Sequence, residues 1–493
     1  MTEFAVWAPQ HDRVRVLVDG TPHPMLPDAG GWWRRTVEDA GPGTAYAYLL
    51  DDDETPLPDP RSRWQPTGVH GASRVYDDGD FFWTDQAWTG RQLPGSVLYE
   101  MHVGTFTPGG TFDAAITRLD HLVDLGVDIV EVLPVNAVDG PRNWGYDGVG
   151  WYAVTENYGG PDAFKRFVDA CHTRGLGVAL DVVHNHLGPS GAYLDRFGPY
   201  FAGRTIWGPT LNLDGPQSEE VRRYAIDNAL MWLRDFHVDA LRLDAVHALR
   251  DTRATHVLEQ MATEVETLSA HLGRPLSLIA ESDLNDPRLV TAREAGGYGL
   301  HAQWADDVHH SLHTVLTGES QGYYADFATA GLTGLAHVLT RVFLHEGTWS
   351  SFRQRRHGSP VDTQRIPGHR FLAYLQNHDQ IGNRATATGS PRPSPPACWP
   401  AVPRSCSARR SRRCCSWARS GARAPRGSSS PTSPTPACAR PSARGARPSS
   451  PTTGGARPRC PTPTPRARSS TRSWTGPSPP RSRTPPCCAC TGS

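Results

Sequence analysis

Four short runs constrain this chain most: Asp181-Val-Val-His-Asn-His186, Leu241-Arg-Leu-Asp-Ala-Val-His247, Ile279-Ala-Glu-Ser282 and Gln376-Asn-His-Asp-Gln380. Each sets carboxylate or imidazole groups directly after a short apolar stretch, as a buried strand does where it ends at a polar rim. In a (β/α)8 barrel every strand delivers its C-terminal end to one face, so residues distant in sequence meet at one mouth. From Val97 onward strand-like and helix-like segments alternate, which is the pattern of βα units in an α/β fold. Residues 97–102, 128–133, 177–183, 240–243, 276–280 and 371–375 read as strands one to five and seven, with a weaker sixth near 301–304. Helices are predicted over 112–125 and 162–174. The insert 134–158, rich in Gly, Asn and aromatic residues, belongs on the face where such barrels build binding surfaces.

Ahead of the barrel, residues 1–90 alternate apolar and polar side chains, as in Phe4-Ala-Val-Trp-Ala-Pro9 and Val14-Arg-Val-Leu-Val18, with Gly, Pro and Asp between. Period-two runs broken by turn residues predict an N-terminal antiparallel β-sandwich domain. Trp32, Trp33, Trp64 and Trp83 could serve as platforms for a flat ligand. In a small sandwich aromatic residues more often fill the core, and core is the expectation.

The formal net charge of zero conceals two different polymers. All 50 acidic residues precede Ala385, whereas 19 of the 50 basic ones follow it, so residues 1–384 carry 31 basic against 50 acidic groups, a net charge of −19. Such a charge argues against nucleic acid or an anionic membrane as partner. Only Cys171 precedes Ala385, so no disulfide framework supports the first part. Neither a signal peptide nor a transmembrane stretch is readable, and a cytoplasmic location is expected.

Residues 387–493 contain no Asp, Glu or Lys, are crowded with Pro, Ser and Arg, and hold nine of the ten cysteines. At face value they form a disordered basic tail. We read them instead as translated out of frame, since the neighbouring frame of Cys415–Gly421 can encode an ordinary Leu-Phe-Met-Gly-Glu-Glu-Trp-Gly segment. On that reading the catalytic barrel spans 91–386 and is incomplete, its eighth strand lost to a frameshift. It then stays open between 97–102 and 371–375, because proline cannot donate to a ladder.

The four runs resemble those of the α-amylase superfamily of glycoside hydrolases, where they lie at the ends of the third, fourth, fifth and seventh barrel strands. Asn143-Trp-Gly-Tyr-Asp-Gly148, Gly208-Pro-Thr-Leu-Asn-Leu213, Trp304-Ala-Asp-Asp-Val-His-His310 and the extension of the last run to Arg384 resemble the maltooligosyltrehalose trehalohydrolases in particular. That resemblance implies release of trehalose by cutting the α-1,4 bond beside it in maltooligosyl trehalose, in functional pairing with a synthase that makes the trehalose end. A glycogen branching enzyme acting on an α-glucan is the nearest rival. An inactive glucan-binding fragment is the alternative of another class.

Hydrolysis with retention needs a carboxylate nucleophile and a carboxylic acid about 5 Å away. Asp244 fits the nucleophile, because Arg242, two residues earlier on the same strand, faces the same side and keeps it ionised. Glu281, ending the next strand, fits the acid/base. Asp379 fits the third carboxylate, holding sugar hydroxyls near the distorted transition state. His186 and His378 are expected to bind hydroxyls in the same subsite, Asp181 to brace it, and Tyr146 to stack on the sugar. His247 either lines the acceptor side or caps the next helix. A lone Asp after an apolar run is usually a turn or cap, and Arg-x-Asp usually a surface ion pair; four such motifs in order reverse that reading. Asn185 binds structural calcium in some relatives, but no acidic cluster accompanies it here, so no metal and no cofactor are assigned.

Overall fold

The computed structural model describes residues 1–382 together with the backbone of Arg413–Ser416. Two antiparallel sheets open the chain. One orders Thr2–Trp7, Trp32–Val37 and Leu26–Asp28; the other orders Thr21–Pro24, Val14–Val18, Ala45–Leu50 and Ser73–Arg74. Alternation does its usual work in Val14–Val18, where the three valines are buried and Arg15 and Leu17 are not. The sheets meet where Phe4 packs on Tyr46 at 4.9 Å between ring centroids and the Tyr48 hydroxyl donates to Ala5 O at 3.1 Å. Of the four tryptophans, only Trp33 is buried, and the others are partly exposed. Trp33 is buried with its indole N–H on Ala8 O, Trp83 lies flat on His237 at 3.7 Å, and Trp64 donates to Glu156 at 2.7 Å.

The barrel strands are Val97–Met101, Ile129–Val132, Gly177–Val182, Ala240–Leu243, Ser277–Ala280, Ala302–Trp304, Phe371–Tyr374 and Arg413–Ser416. They pair in parallel and close into a ring. Inside the ring the two-residue period stacks side chains in layers. The lower layer is apolar and dry: Leu98, Ile129, Ala179, Ala240, Ile279, Ala302 and Leu372. Two residues further along the same strands come Glu100, Glu131, Asp181, Arg242, Glu281, Trp304 and Tyr374. The polar rim is therefore the next step of the same alternation that builds the core.

Two expectations need correction. The barrel does not stay open: Arg413–Ser416 pairs with Phe371–Tyr374 on one side and with Val97–Met101 on the other. A ladder is made by main-chain N–H and C=O groups, and Arg-Cys-Cys-Ser contains no proline, so a run of only four residues can close the ring without a conventional apolar strand sequence. The reading of residues 387–493 as an out-of-frame tail otherwise falls outside the described residues. The helix predicted over 112–125 is two, Phe112–Ile116 and Leu119–Asp124. Arg118 between them leaves helical geometry at φ −116° and ψ 2°. The predicted helix over 162–174 is observed as Gly160–His172, with Pro161 at its start.

A strap, residues 81–96, joins the sheets to the barrel across the N-terminal ends of its strands. Asp85 holds His172 at 2.7 Å and His237 at 2.8 Å, while the Trp88 indole donates to Asp239 at 2.8 Å and its ring stacks on His172. His172 also reaches Asp239 at 3.1 Å, so this buried imidazole sits between two carboxylates. No helix among the described residues is long and apolar enough to cross a membrane.

Candidate active site

The site grows out of the fourth strand. Because Asp181 and Arg242 are register partners on adjacent strands, their side chains rise side by side into the barrel mouth. Arg242 is 1 % exposed and donates through Nη1 to Asp181 at 2.8 Å and to Asp244 at 2.8 Å, with Glu131 3.8 Å from its Nε. A buried guanidinium is tolerable only when carboxylates surround it in this way. Asp244 is fixed from its other oxygen as well, by Asn185 Nδ2 at 2.8 Å. Asn185 thus serves the aspartate, and among the described residues no group of three or more His, Cys, Asp or Glu side chains is arranged to hold a metal ion.

The next residue, Ala245, has φ of 41°. That left-handed backbone is unfavourable for alanine and turns its N–H onto Glu281 Oε2 at 2.6 Å. The bond ties the acid at the end of the fifth strand to the residue directly after Asp244, so the two carboxyl groups share one corner of the cleft. Burial pushes the Glu281 carboxyl well up; Arg242 opposes the rise and the negative charges of Asp244, Asp306 and Asp379 add to it. Burial likewise raises Asp181, to about 6, against the pull of Arg242.

Across the cleft, the seventh strand leads to Gln376-Asn-His-Asp. His378 stacks on Tyr146 at 4.8 Å, and the Tyr146 hydroxyl donates to Asp181. Asp379 opens the short helix Asp379–Gly382, its N–H bonded to Asn377 Oδ1 at 3.0 Å and its carboxylate half exposed to the cleft. His186 is anchored by Asn185 and by Tyr146 O at 3.0 Å, and burial lowers its pKa. A network of hydrogen bonds and stacked rings therefore joins Tyr146, Asp181, His186, Arg242, Asp244 and His378, while Glu281 and Asp379 stand at the ends of the fifth and seventh strands.

His247 stands apart. It lies in the single turn Val246–Ala248, its Nδ1 has no hydrogen-bond partner, and its nearest ring is Trp207 at 6.2 Å. The helix that follows is capped by His256, which removes the capping role for His247. Trp207 itself was not foreseen. It stands half exposed between the hairpin strands Phe201–Arg204 and Pro209–Leu211, with His186 and His247 each 6.2 Å from its ring. Glu100, Glu131 and Asp306 were missed too. The first two lie inside apolar strand runs, where only the inward parity of their positions distinguishes them. Asp306 accepts the Tyr374 hydroxyl at 2.8 Å and borders a cavity lined also by Asp283, His310, Tyr323, Phe352 and Arg353.

A parallel barrel with three carboxylates and a buried Arg-x-Asp pair at its C-terminal mouth defines an α-amylase-type glycoside hydrolase, and residues 73–199 match the family model for the alpha amylase catalytic domain. A Salmonella typhimurium protein assigned to the alpha amylases, solved by crystallography, superposes with a TM-score of 0.77 at 36% identity, covering 84% of this chain and 70% of that one. Among curated relatives, the malto-oligosyltrehalose trehalohydrolases of Mycobacterium tuberculosis and Arthrobacter ramosus are 58% and 59% identical, each over 78% of this chain and 67% of the relative. The chain belongs to the malto-oligosyltrehalose trehalohydrolase family.

Proposed function

We propose that the chain is a retaining glycosidase that hydrolyses the α-1,4-glucosidic bond next to the trehalose end of maltooligosyl trehalose and releases trehalose. The supporting observation is the corner shared by Asp244 and Glu281, one carboxylate paired with Arg242 and the other carboxyl pushed up by burial. Two carboxyls in such different surroundings, one beside a fixed cation and one able to keep a proton, are what a double displacement requires. Asp244 attacks the anomeric carbon while Glu281 gives its proton to the leaving oxygen. The trehalose leaves, water enters, and Glu281 takes a proton from that water as the glycosyl–Asp244 bond breaks. Asp379 accepts hydrogen bonds from the ring hydroxyls and His378 donates to them, while Tyr146 packs against the sugar face. The cavity beside Asp306 lies on the Glu281 side, where the leaving trehalose is expected to sit, and Trp207 and His247 border the same mouth. The N-terminal sheets are read as a carbohydrate-binding-like module, and a synthase that forms the trehalose end is the expected functional partner.

The test is product analysis with the purified full chain and maltotriosyl trehalose. Trehalose and maltotriose in equal amounts are expected, with the α-anomer of maltotriose formed first. Formation of α-1,6 branches from amylose without trehalose release would reassign the chain to a transferase.

A further inference from the structure

The first barrel strand contributes a carboxylate to the site that none of the roles above uses. Glu100 is fully buried, in the polar layer two residues above Leu98, and both its oxygens are spent on one residue across the barrel closure. Oε2 accepts the backbone N–H of His378 at 2.9 Å and Oε1 meets the ring Nδ1 at 2.7 Å. A carboxylate that grips a residue by main chain and side chain together fixes both its position and its ring plane. With Nδ1 committed to Glu100, the other ring nitrogen, Nε2, lies 3.5 Å from Asp379 Oδ1.

We propose that Glu100 is a positioning residue for the glycosidic reaction: it holds His378 by backbone and ring so that Nε2 is presented as a charged donor beside Asp379. The inference rests on the reading of this cleft as the sugar site. The surroundings of His378 decide its charge. Burial disfavours the imidazolium and Arg242 repels it, yet Glu100 and Asp379 outweigh them and raise it to about 9. Of the other groups around the ring, burial lowers His102 and raises Glu131 well up, which favours the neutral form of each, while Asp181 is raised to about 6 and Tyr146 stacks on the ring. A ring that is cationic at neutral pH donates a charge-assisted bond, about twice as strong as a neutral one. It thereby holds a sugar hydroxyl, and Asp379, in place as the sugar ring distorts toward the transition state.

The experiment is the titration of histidine ring nitrogens by NMR in the full-length protein, with His378→Gln identifying the resonance. Wild type is expected to titrate near pH 9. In Glu100→Gln, where one carboxylate oxygen becomes an amide donor, the midpoint is expected to fall to or below the ordinary histidine value. Glu100→Asp should retain a raised midpoint. Turnover of maltotriosyl trehalose by Glu100→Gln should drop about tenfold in kcat with a smaller change in KM, as expected for losing the charge on one hydrogen bond. A wild-type midpoint near 6.5, or one that ignores Glu100→Gln, overturns the inference. If Glu100→Gln does not fold, the wild-type midpoint alone decides. Full activity in His378→Gln would instead sink the reading of the cleft as the sugar site, whatever the titration gives.

Discussion

At the scale of single residues, the division of labour between Asp244 and Glu281 follows from what each touches. Asp244 has Arg242 and Asn185 on its two oxygens, so replacing it with Asn preserves size and removes the nucleophile. Asp244→Asn is expected to lower kcat by about 10⁴-fold or more while binding of maltotriosyl trehalose, measured by calorimetry, survives. Glu281 has to be protonated to act as the acid, so activity is lost as pH rises through its pKa. Asp306, pushed up to about 7 by burial, is one of the charges that keep that pKa high. Removing a negative neighbour makes Glu281 easier to ionise. Asp306→Asn should therefore move the alkaline limb of the kcat/KM profile to lower pH by about one unit, the scale of strongly interacting carboxyls. An unmoved or higher limb would show that Asp306 does not act on Glu281. The residues that the sequence revealed are those placed after an apolar run. Asp181, Asp244, Glu281 and Asp379 could be read in this way, whereas Glu100 and Glu131 could not, because an acid within a strand is visible only once the inward parity of that strand is known.

At the scale of elements, strand positions were legible and helix continuity was less so. Short apolar runs bounded by Gly and Asp locate strands within a residue or two, as at Ala240–Leu243 and Phe371–Tyr374. The break at Arg118 had no such marker, because the apolar spacing runs on through it. The strap under the barrel was illegible for a different reason: its Asp85 and Trp88 meet His172, His237 and Asp239, far along the chain, and no local pattern joins them. It leads to a prediction about stability. Burial disfavours a charged His172, but Asp239 and Asp85 raise its pKa overall. The sign is that of a histidine gaining partners on folding: its contribution is complete below the unfolded value of about 6.5 and fades as pH rises through the raised folded value. Replacing one partner of a buried pair costs about 3–5 kcal/mol. His172→Gln should then lower the melting temperature more at pH 6 than at pH 10, by calorimetric scans of both proteins. Equal losses at the two pH values would mean that the imidazole is neutral between its aspartates.

At the scale of the whole molecule, closure of the barrel depends on a strand that composition gave no reason to expect. Arg413 and Cys414 pair with Ala373 and Tyr374, and the same strand runs beside Val97 to Glu100 on its other edge. Those neighbours supply the site: Glu100 grips His378, and Tyr374 donates to Asp306. Closing the ring is thus tied to the geometry of the seventh-strand loop that holds His378 and Asp379. A proline in the closing strand tests this directly, because it removes a ladder N–H and its ring crowds the partner strand. A substitution in a central strand should cost about 3 kcal/mol or more, on the scale of proline in a helix interior. Cys414→Pro is expected to lower the denaturation midpoint and to reduce kcat together, since Phe371–Tyr374 would lose one of its two partners and become an edge strand just below the loop that carries Asp379. If Cys414→Pro matches wild type in stability and turnover, the closing strand Arg413–Ser416 contributes nothing to the fold.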